Sequence, residues 1–283
     1  MNIHLAKSAG FCSGVKRAVR IALETARKED LPVYMLGEIV HNEHVVNELD
    51  ASGIRMVDSL EQIGAGILLI RAHGATPEIY EAARRKGLKI VDATCPLVLE
   101  IHEVARQLQE EGYHVVVIGD HGHDEVVGIA GQVDRATVIA SPDEADGAFA
   151  HYSGRIGVVV QSTQDIENVQ QILAVLASKC REIKFFNTIC APTARHQEEI
   201  RRLPHEHDVI VIIGSLTSAN TCRLTTIAQA INPRAYQVES ADDVRAEWFV
   251  GAQSVGISAG ASTPDVVIGQ VIQRIKEVSG GKN

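Results

Sequence analysis

The stretch KIVDATCPLVLEIHEVARQLQEEGYHVVVIGD, residues 89–120, decides the fold. A short β-branched run leads into a turn that contains Cys95 and Pro96, and proline cannot continue a strand ladder. The next segment has apolar residues at helical spacing, and the apolar run HVVVIG follows it. A strand, a helix and a second strand in this order are typical of a βαβ unit with parallel strands.

A cysteine-bearing turn of this kind occurs three times. AKSAGFCSGV contains Cys12, DATCPLV contains Cys95 and FFNTICAPT contains Cys190, and these cysteines lie 83 and 95 residues apart. Strand-like and helix-like segments alternate almost throughout, which favours parallel sheets covered by helices. The spacing is that of one small domain. We therefore predict three similar small α/β domains with parallel sheets, at residues 13–94, at 95–189, and at 190–283 together with 1–12.

Charge and hydropathy exclude several classes of protein. The chain has 27 basic and 36 acidic residues, a net charge of −9, and no block of Lys or Arg, which argues against a nucleic-acid partner. No segment approaches the roughly 18 apolar residues of a membrane helix, so we expect no membrane association. The N-terminus has no basic region followed by an apolar stretch, so the expected location is the cytoplasm.

Chemically active residues cluster where the predicted strands end. Ligands of open parallel sheets bind outside the carboxyl ends of the strands, next to helix N-termini. Cys, His, Ser, Thr or Asn occurs at each of the following turns: GFCSG, IVHN, RAHGAT, DATCP, GDHGHDE, VQST, TICAPT, IGSLTSAN and SAGASTPD. A single Ser or Asn there is explained by helix capping, and a single Cys by burial as a small apolar residue. Their coincidence at one class of position favours a functional site.

The turn GDHGHDEVVG, residues 119–128, has the densest cluster and two interpretations. His121 and His123 could bind zinc. Alternatively, Glu125 transfers protons while His123 binds a substrate. The sequence has no phosphate-binding loop, no GxGxxG after a strand and no GxSxG, which removes the usual support for nucleotide-binding enzymes and serine hydrolases.

Three dispersed cysteines without a CxxC pair favour an iron–sulfur cluster over zinc. A [4Fe–4S] cluster binds up to four protein ligands, and the use of three leaves one iron open for a substrate. Cys180, at a predicted helix end, and Cys222, inside a predicted helix, do not share the turn position. We predict that both are structural.

Eight motifs occur in the order and spacing of a known family: GFCSGV, VHN, AHG, DATCPLV, GHDEVVG, TIC, SANTCRL and SAGASTPD. Over essentially its whole length the chain resembles the LytB family of 4-hydroxy-3-methylbut-2-enyl diphosphate reductases. The resemblance implies three α/β domains arranged pseudo-threefold around a central, oxygen-sensitive [4Fe–4S] cluster on Cys12, Cys95 and Cys190. It also implies two-electron reductive dehydroxylation of an allylic diphosphate to isopentenyl and dimethylallyl diphosphate, with ferredoxin or flavodoxin as electron donor.

The resemblance further implies roles for individual residues. Glu125 would deliver protons, with Ser162 completing the relay and His123 taking part. The residues expected to meet the substrate, chiefly its diphosphate, are His41, His73, His123, Ser162, Ser218, Ala219, Asn220 and Ser262. Close backbone approach is expected at Gly14, Gly74 and Gly260.

Three positions depart from the family pattern. Ser162 stands where the family often has Thr, Ala219 where it often has a second Ser, and His196 where an Arg is expected. Ser162 retains the hydroxyl, whereas Ala219 removes one donor to the diphosphate.

Three rival interpretations remain. A non-catalytic binding protein with buried cysteines would be colourless. Another cluster enzyme with three dispersed cysteines, of the quinolinate synthase type, is disfavoured by GHDEVVG and SAGASTPD. A zinc hydrolase centred on His121 and His123 would contain zinc in place of iron.

Overall fold

The computed structural model describes residues 1–280, which contain twelve strands and ten α-helices. The strands are β1 (Asn2–Leu5), β2 (Val33–Leu36), β3 (Ile54–Val57), β4 (Ile67–Ile70), β5 (Lys89–Asp92), β6 (His114–Ile118), β7 (Ala136–Ile139), β8 (Arg155–Val160), β9 (Glu182–Phe185), β10 (Val209–Ile213), β11 (Ala235–Val238) and β12 (Ser254–Ala259). The α-helices are α1 (Ser13–Lys28), α2 (Glu43–Ala51), α3 (Pro77–Arg85), α4 (Pro96–Glu110), α5 (Asp124–Ala130), α6 (Pro142–Ala148), α7 (Ile166–Lys179), α8 (Ala191–Glu206), α9 (Ala219–Ile231) and α10 (Asp265–Gly280). None of these helices is both long and apolar enough to cross a membrane.

The strands form three parallel four-stranded sheets with one shared topology. The orders are β3-β2-β4-β5, β7-β6-β8-β9 and β11-β10-β12-β1, and every strand pair is parallel. When the strands of each of the first two sheets are counted along the chain, the first strand lies between the second and the third, and the fourth is at an edge. The last sheet has the same order, with β10 as its first strand, β11 as its second and β12 as its third. In the last sheet β1 takes the place of the fourth strand, although it begins the chain. Three α/β domains with parallel sheets were predicted, and this part of the prediction is confirmed.

The central strands are buried on both faces, as their continuous apolar runs indicate. In β10, Val209, Val211 and Ile213 pack in one core cluster that includes residues of α10. The alternate residues Ile210 and Ile212 pack in a second cluster with residues of α8 and α9. Side chains of a strand alternate between the faces of its sheet, so two helical layers bury one strand completely.

The chain divides into two compact units. One unit comprises residues 1–16, 41–47 and 191 onward, and it contains the sheet to which β1 and β12 belong. The other comprises residues 17–40 and 48–190, and it contains the remaining two sheets. The pairing of β1 with β12 agrees with grouping residues 1–12 with the C-terminal segment. The domain boundaries at residues 94/95 and 189/190 stay a prediction.

Helix α4 contains a buried histidine that the sequence did not single out. Pro96 occupies the first turn of α4, where no intrahelical hydrogen bond is lost, and Val98, Ile101 and Leu108 are buried along the helix. His102 is 4% exposed, and no atom among residues 1–280 makes a hydrogen bond to its Nε2. Burial, assisted by the nearby Arg106 charge, lowers the pKa of His102 to about 4. The ring is therefore neutral at pH 7.

This histidine makes folding stability dependent on pH. Its pKa falls from 6.5 in the unfolded chain to about 4 in the folded protein, so only the unfolded chain binds a proton between these values. Stability is therefore lost as the pH falls through this window, and we expect His102 to account for about 2 kcal/mol of the loss between pH 7.5 and pH 5.

The measurement is urea unfolding of the metal-free protein at both pH values, for the wild type and for His102→Gln. The difference between the two proteins isolates this group from other histidines. An equal loss in His102→Gln would contradict the assignment.

Candidate functional site

The three cysteines expected at turns occupy one position of the repeated topology. Each directly precedes a helix, namely α1, α4 or α8, and each follows the edge strand of its sheet, namely β1, β5 or β9. All three are half-buried thiols. The sequence therefore delivers a thiol to the carboxyl edge of each of the three sheets.

One backbone hydrogen bond defines this position in each sheet. The N–H of the cysteine donates to a carbonyl that follows the third strand of the same sheet. The bonds run from Cys95 to Ala72 (3.0 Å), from Cys190 to Ser162 (3.0 Å) and from Cys12 to Ala261 (3.1 Å). The turn after the third strand thus holds the thiol-bearing turn in the same way three times.

The two remaining cysteines have different surroundings. Cys180 ends α7 and packs against the core of the β6–β9 sheet, and burial raises the pKa of its thiol. Cys222 lies in α9, and its Sγ donates to the carbonyl of Leu216 at 3.0 Å. Neither precedes a helix after an edge strand.

Glu125 is a buried carboxylate held by the turn after β8. It is 2% exposed, and it lies in the first turn of α5. The Ser162 N–H donates to Glu125 Oε1 at 2.5 Å, and the Ser162 hydroxyl donates to Oε2 at 2.8 Å. A carboxylate and a hydroxyl in direct hydrogen-bond contact can exchange a proton, which is the geometry required of a general acid or base.

His123 lies two residues before Glu125, and a second histidine, His73, contacts His123. His123 caps α5 by accepting the Glu125 N–H at Nδ1, 3.1 Å away. The ring of His73 meets the ring of His123 edge to face, with centroids 5.5 Å apart. His121 instead pairs with Glu144 at 2.7 Å on the surface, and within residues 1–280 it belongs to no group of three or more potential metal ligands. The zinc interpretation centred on His121 thus gains no support.

Gln161 organises the same turns and was not identified from the sequence. Its side chain is completely buried. Its Oε1 accepts the Asp120 N–H at 2.9 Å, and its Nε2 donates to the Thr163 hydroxyl at 2.9 Å. The residue therefore joins the turn after β6 to the turn after β8. The only feature of the sequence that could have identified Gln161 is its position in the VQST turn, after a strand. Its burial is explained by the hydrogen bonds that its amide makes to both turns.

The unit that contains α9 places small polar groups at the start of that helix. Ser218 caps α9 by accepting the Thr221 N–H at 3.4 Å, and Ala219 follows it as the first helical residue. Asn220 is 3% exposed, and neither its Oδ1 nor its Nδ2 has a hydrogen-bond partner among residues 1–280. In the same unit, the Ser262 hydroxyl donates to the carbonyl of His41 at 3.4 Å.

The side chain of Thr221 packs so closely against two backbone positions that only glycine fits there. A Cβ at Gly260 would lie 2.1 Å from the Thr221 hydroxyl oxygen, and a Cβ at Gly214 would lie 2.7 Å from the same atom. Gly214 also has φ +145°, which side chains rarely allow. The close approach expected at Gly260 is therefore made to a side chain of the protein itself. Gly74 behaves in the same way toward His102, since a Cβ there would lie 2.9 Å from the ring.

His196, where the family pattern suggested Arg, binds the turn that precedes Cys12. It is 3% exposed, and its Nε2 donates to the carbonyl of Ser8. Burial lowers the pKa of His196, which favours the neutral form of the ring. Glu199, one turn further along α8, accepts the Lys7 and Ser8 N–H groups at 2.8 and 2.9 Å. The substitution thus leaves α8 and the N-terminal turn joined by side-chain hydrogen bonds.

The whole chain is similar to one group of known proteins. The family model described as LytB protein matches residues 3–276. A 4-hydroxy-3-methylbut-2-enyl diphosphate reductase of Aquifex aeolicus is 42% identical over 286 residues, covering 100% of this chain and 98% of that protein. A protein of the same name from Geobacter sulfurreducens is 43% identical over 283 residues, covering 100% and 99% respectively.

Two solved structures are similar to the fold. One, described as (E)-4-hydroxy-3-methyl-but-2-enyl diphosphate reductase, the terminal enzyme of the non-mevalonate pathway, is 42% identical, with a TM-score of 0.71 and coverage of 98% of this chain and 100% of that chain. The other, E-1-hydroxy-2-methyl-but-2-enyl-4-diphosphate reductase from Plasmodium falciparum, is 26% identical, with a TM-score of 0.92 and coverage of 97% and 88%.

The buried amide of Asn220 lowers the stability of the protein without a ligand. An unsatisfied buried donor or acceptor costs about 1–3 kcal/mol. We therefore expect Asn220→Leu, a change of similar size, to raise the free energy of unfolding by about 1–2 kcal/mol. The measurement is chemical denaturation of the metal-free, ligand-free protein.

Asn232→Leu is the matched control. In the same unit, Asn232 donates to the His207 carbonyl at 3.1 Å and accepts the Arg234 N–H at 2.8 Å, so its replacement should lower stability. A loss of stability in both variants would show that the Asn220 amide is satisfied in solution.

Proposed function

The chain belongs to the LytB family, and from this membership we propose how its own residues perform the family's reaction. The protein is an oxidoreductase, a 4-hydroxy-3-methylbut-2-enyl diphosphate reductase of the non-mevalonate isoprenoid pathway. The observation that supports this function is the match to curated reductases over the entire chain at about 42% identity. The Glu125–Ser162 contact is the chemical feature that fits it best.

The reaction removes one hydroxyl group from an allylic diphosphate. Two electrons and two protons enter, the C–O bond breaks, and water and an isopentenyl or dimethylallyl diphosphate leave. The protein residues must therefore deliver protons, hold the diphosphate and hold an electron-transfer group.

We propose that Cys12, Cys95 and Cys190 hold a [4Fe–4S] cluster. The fit rests on the donor set, because thiolates are the usual protein ligands of such clusters and three equivalent turns each present one. With three protein ligands the bound cluster supplies electrons and one iron without a thiolate. Cys180 and Cys222 have their own structural contacts and are excluded from the ligand set.

Glu125 is proposed to deliver protons, with Ser162 as its relay partner. Both carboxylate oxygens accept hydrogen bonds from Ser162, so the carboxylate has a fixed orientation. The serine hydroxyl donates to Glu125 and retains lone pairs that can accept a proton from another group. His123 accepts the Glu125 N–H at Nδ1, which fixes its ring at the start of α5, next to Glu125.

The proposed diphosphate ligands are neutral donors and titratable imidazoles. Ser218, Asn220 and the N-terminus of α9 provide hydroxyl, amide and backbone N–H groups, and the helix dipole favours an anion there. Ser262 adds a hydroxyl, and His41, His73 and His123 add imidazoles that become cationic when protonated. Ala219 contributes only its backbone. This set lets a chain of net charge −9 bind a polyanion.

Two further points belong to the proposal. Ferredoxin or flavodoxin is proposed as the electron donor, and the cytoplasm as the location, because both follow from the family resemblance. The direct test of the whole proposal is anaerobic purification, with iron and sulfide counted per chain and turnover of the allylic diphosphate measured with a chemical reductant. About four irons with turnover would agree with it, and a colourless protein that cannot be reconstituted would overturn it.

Replacing Glu125 with Gln should separate proton delivery from cluster assembly. The amide has nearly the same shape but cannot deliver the proton, so we expect kcat to fall by at least about 10²-fold while the iron content stays that of the wild type. The measurement is reductant-driven turnover per intact cluster. Glu144→Gln is the matched control, because Glu144 is a surface carboxylate that also accepts a backbone N–H and pairs with a histidine. Wild-type turnover in Glu125→Gln would remove the proton-delivery role.

Replacing the cysteines one at a time tests the ligand set. Cys95→Ser removes a proposed thiolate ligand and should lower the iron content and the brown absorbance after anaerobic reconstitution. Cys222→Ser should leave both unchanged, since the serine hydroxyl can still donate to the Leu216 carbonyl. Equal loss of iron in both variants would show that the assignment of ligands is wrong.

A further inference from the structure

A two-pronged ion pair joins two of the turns described above. Nη1 of Arg71 donates to Oδ2 of Asp124 at 2.6 Å, and Nη2 donates to Oδ1 at 2.7 Å. The side chains are only 20% and 27% exposed. A planar guanidinium that binds both oxygens of a carboxylate fixes direction as well as distance, which a single-point contact does not.

The two partners stand next to proposed reacting groups along the chain. Arg71 directly follows β4 and lies two residues before His73. Asp124 is the first residue of α5 and lies between His123 and Glu125. A carboxylate in the first turn is also favoured by the helix dipole. One ion pair therefore connects the turn that contains His73 to the start of α5, where His123 and Glu125 lie.

The surrounding backbone leaves room for this pair. Gly37, at the end of β2, has φ +69°, and a Cβ there would lie 2.5 Å from Nη1 of Arg71. Any larger residue would displace the guanidinium. The glycine therefore lets the Arg71 side chain pass the end of the neighbouring strand.

A second contact holds the same turn and helix from another direction. The His102 ring lies in a slot between two glycines, where a Cβ would come within 2.9 Å at Gly74 and 3.4 Å at Gly128. Gln132 adds a hydrogen bond of 3.2 Å from its Nε2 to the carbonyl of Ala75. The turn of residues 71–76 and helix α5 are thus joined at three places.

We propose that Arg71 and Asp124 are positioning residues of the reductase, which set the relative placement of His73, His123 and Glu125. The effect of the pair is transmitted through the turn and the helix. A displacement of about 1 Å at reacting groups can lower a rate about 10²-fold. Loss of the two-pronged ion pair between Arg71 and Asp124 should therefore mainly reduce kcat. This inference rests on the proposed function.

The experiment compares reconstituted holoenzymes of R71Q, D124N and the double variant R71Q/D124N. R155Q is the matched control, because Arg155 makes a two-pronged contact with Glu182 at the amino ends of β8 and β9, the opposite edge from the site. Iron content, the electron paramagnetic resonance signal of the reduced cluster and the thermal unfolding temperature are measured alongside kcat and KM. If R71Q yields no folded holoenzyme, R71K, which retains the charge but not the fork, replaces it.

The expected result is a drop in kcat of about 10- to 100-fold in R71Q and D124N, at unchanged cluster signal, with the double variant no worse than either single variant. R155Q should keep the kcat of the wild type. A kcat in R71Q equal to that in R155Q would overturn the inference. So would a rise in KM in R71Q with kcat unchanged, because that pattern would make Arg71 a substrate ligand. Absence of turnover in the wild type would overturn the proposed function itself and is distinguishable from both results.

Discussion

The placement of Cys12, Cys95 and Cys190 depends on one constraint. In each case the backbone N–H of the cysteine donates a hydrogen bond to the turn after the third strand of its sheet. It occurs once in each sheet, at 3.0–3.1 Å, between the edge-strand turn and the adjacent strand end. Parallel strands end at one edge of a sheet, so this bond needs only the shared strand order and no similarity of side chains. A repeated backbone topology therefore places three thiols identically, even though the three thirds of the chain share little sequence.

Two kinds of buried polar group occur in the turns after the strands and in the first turns of the helices. The side chains of Glu125 and Gln161 form hydrogen bonds with neighbouring turns. They therefore make these turns rigid without leaving one of their own polar atoms unpaired. Asn220 is buried with an amide that has no partner among residues 1–280. Buried polar groups with hydrogen-bond partners fix the geometry of the protein, whereas a buried amide without one requires an explanation. This contrast supports the proposal that Asn220 is a ligand of the substrate.

The sequence predicted the elements well and their long-range contacts poorly. Continuous apolar runs such as VIVIIG identify central strands because both faces of such strands are covered. The cysteine turns were visible because a thiol at the end of a strand, twice followed closely by proline, is unusual. By contrast, the ion pair between Arg71 and Asp124 joins residues 53 positions apart, one in the turn after β4 and the other at the start of α5, and no local pattern encodes it. His102 was not predicted to be buried, because a single polar residue in the apolar pattern of a helix does not show by itself which way it points. The two glycines that accommodate its ring, Gly74 and Gly128, lie elsewhere in the chain.

The pairing of β1 with β12 has a consequence for the order in which the protein can be assembled. Residues 2–5 are translated before the strands of the other two sheets, but their partner strand, residues 254–259, is translated after all of those strands. The strands of the other two sheets follow one another without interruption and can pair while translation continues. The Cys12 N–H can donate its anchoring hydrogen bond to the Ala261 carbonyl only after residues 254–261 have been synthesised. A nascent chain that lacks residues 254–261 therefore cannot anchor the turn of Cys12, although the hydrogen bonds of Cys95 to Ala72 and of Cys190 to Ser162 can already form.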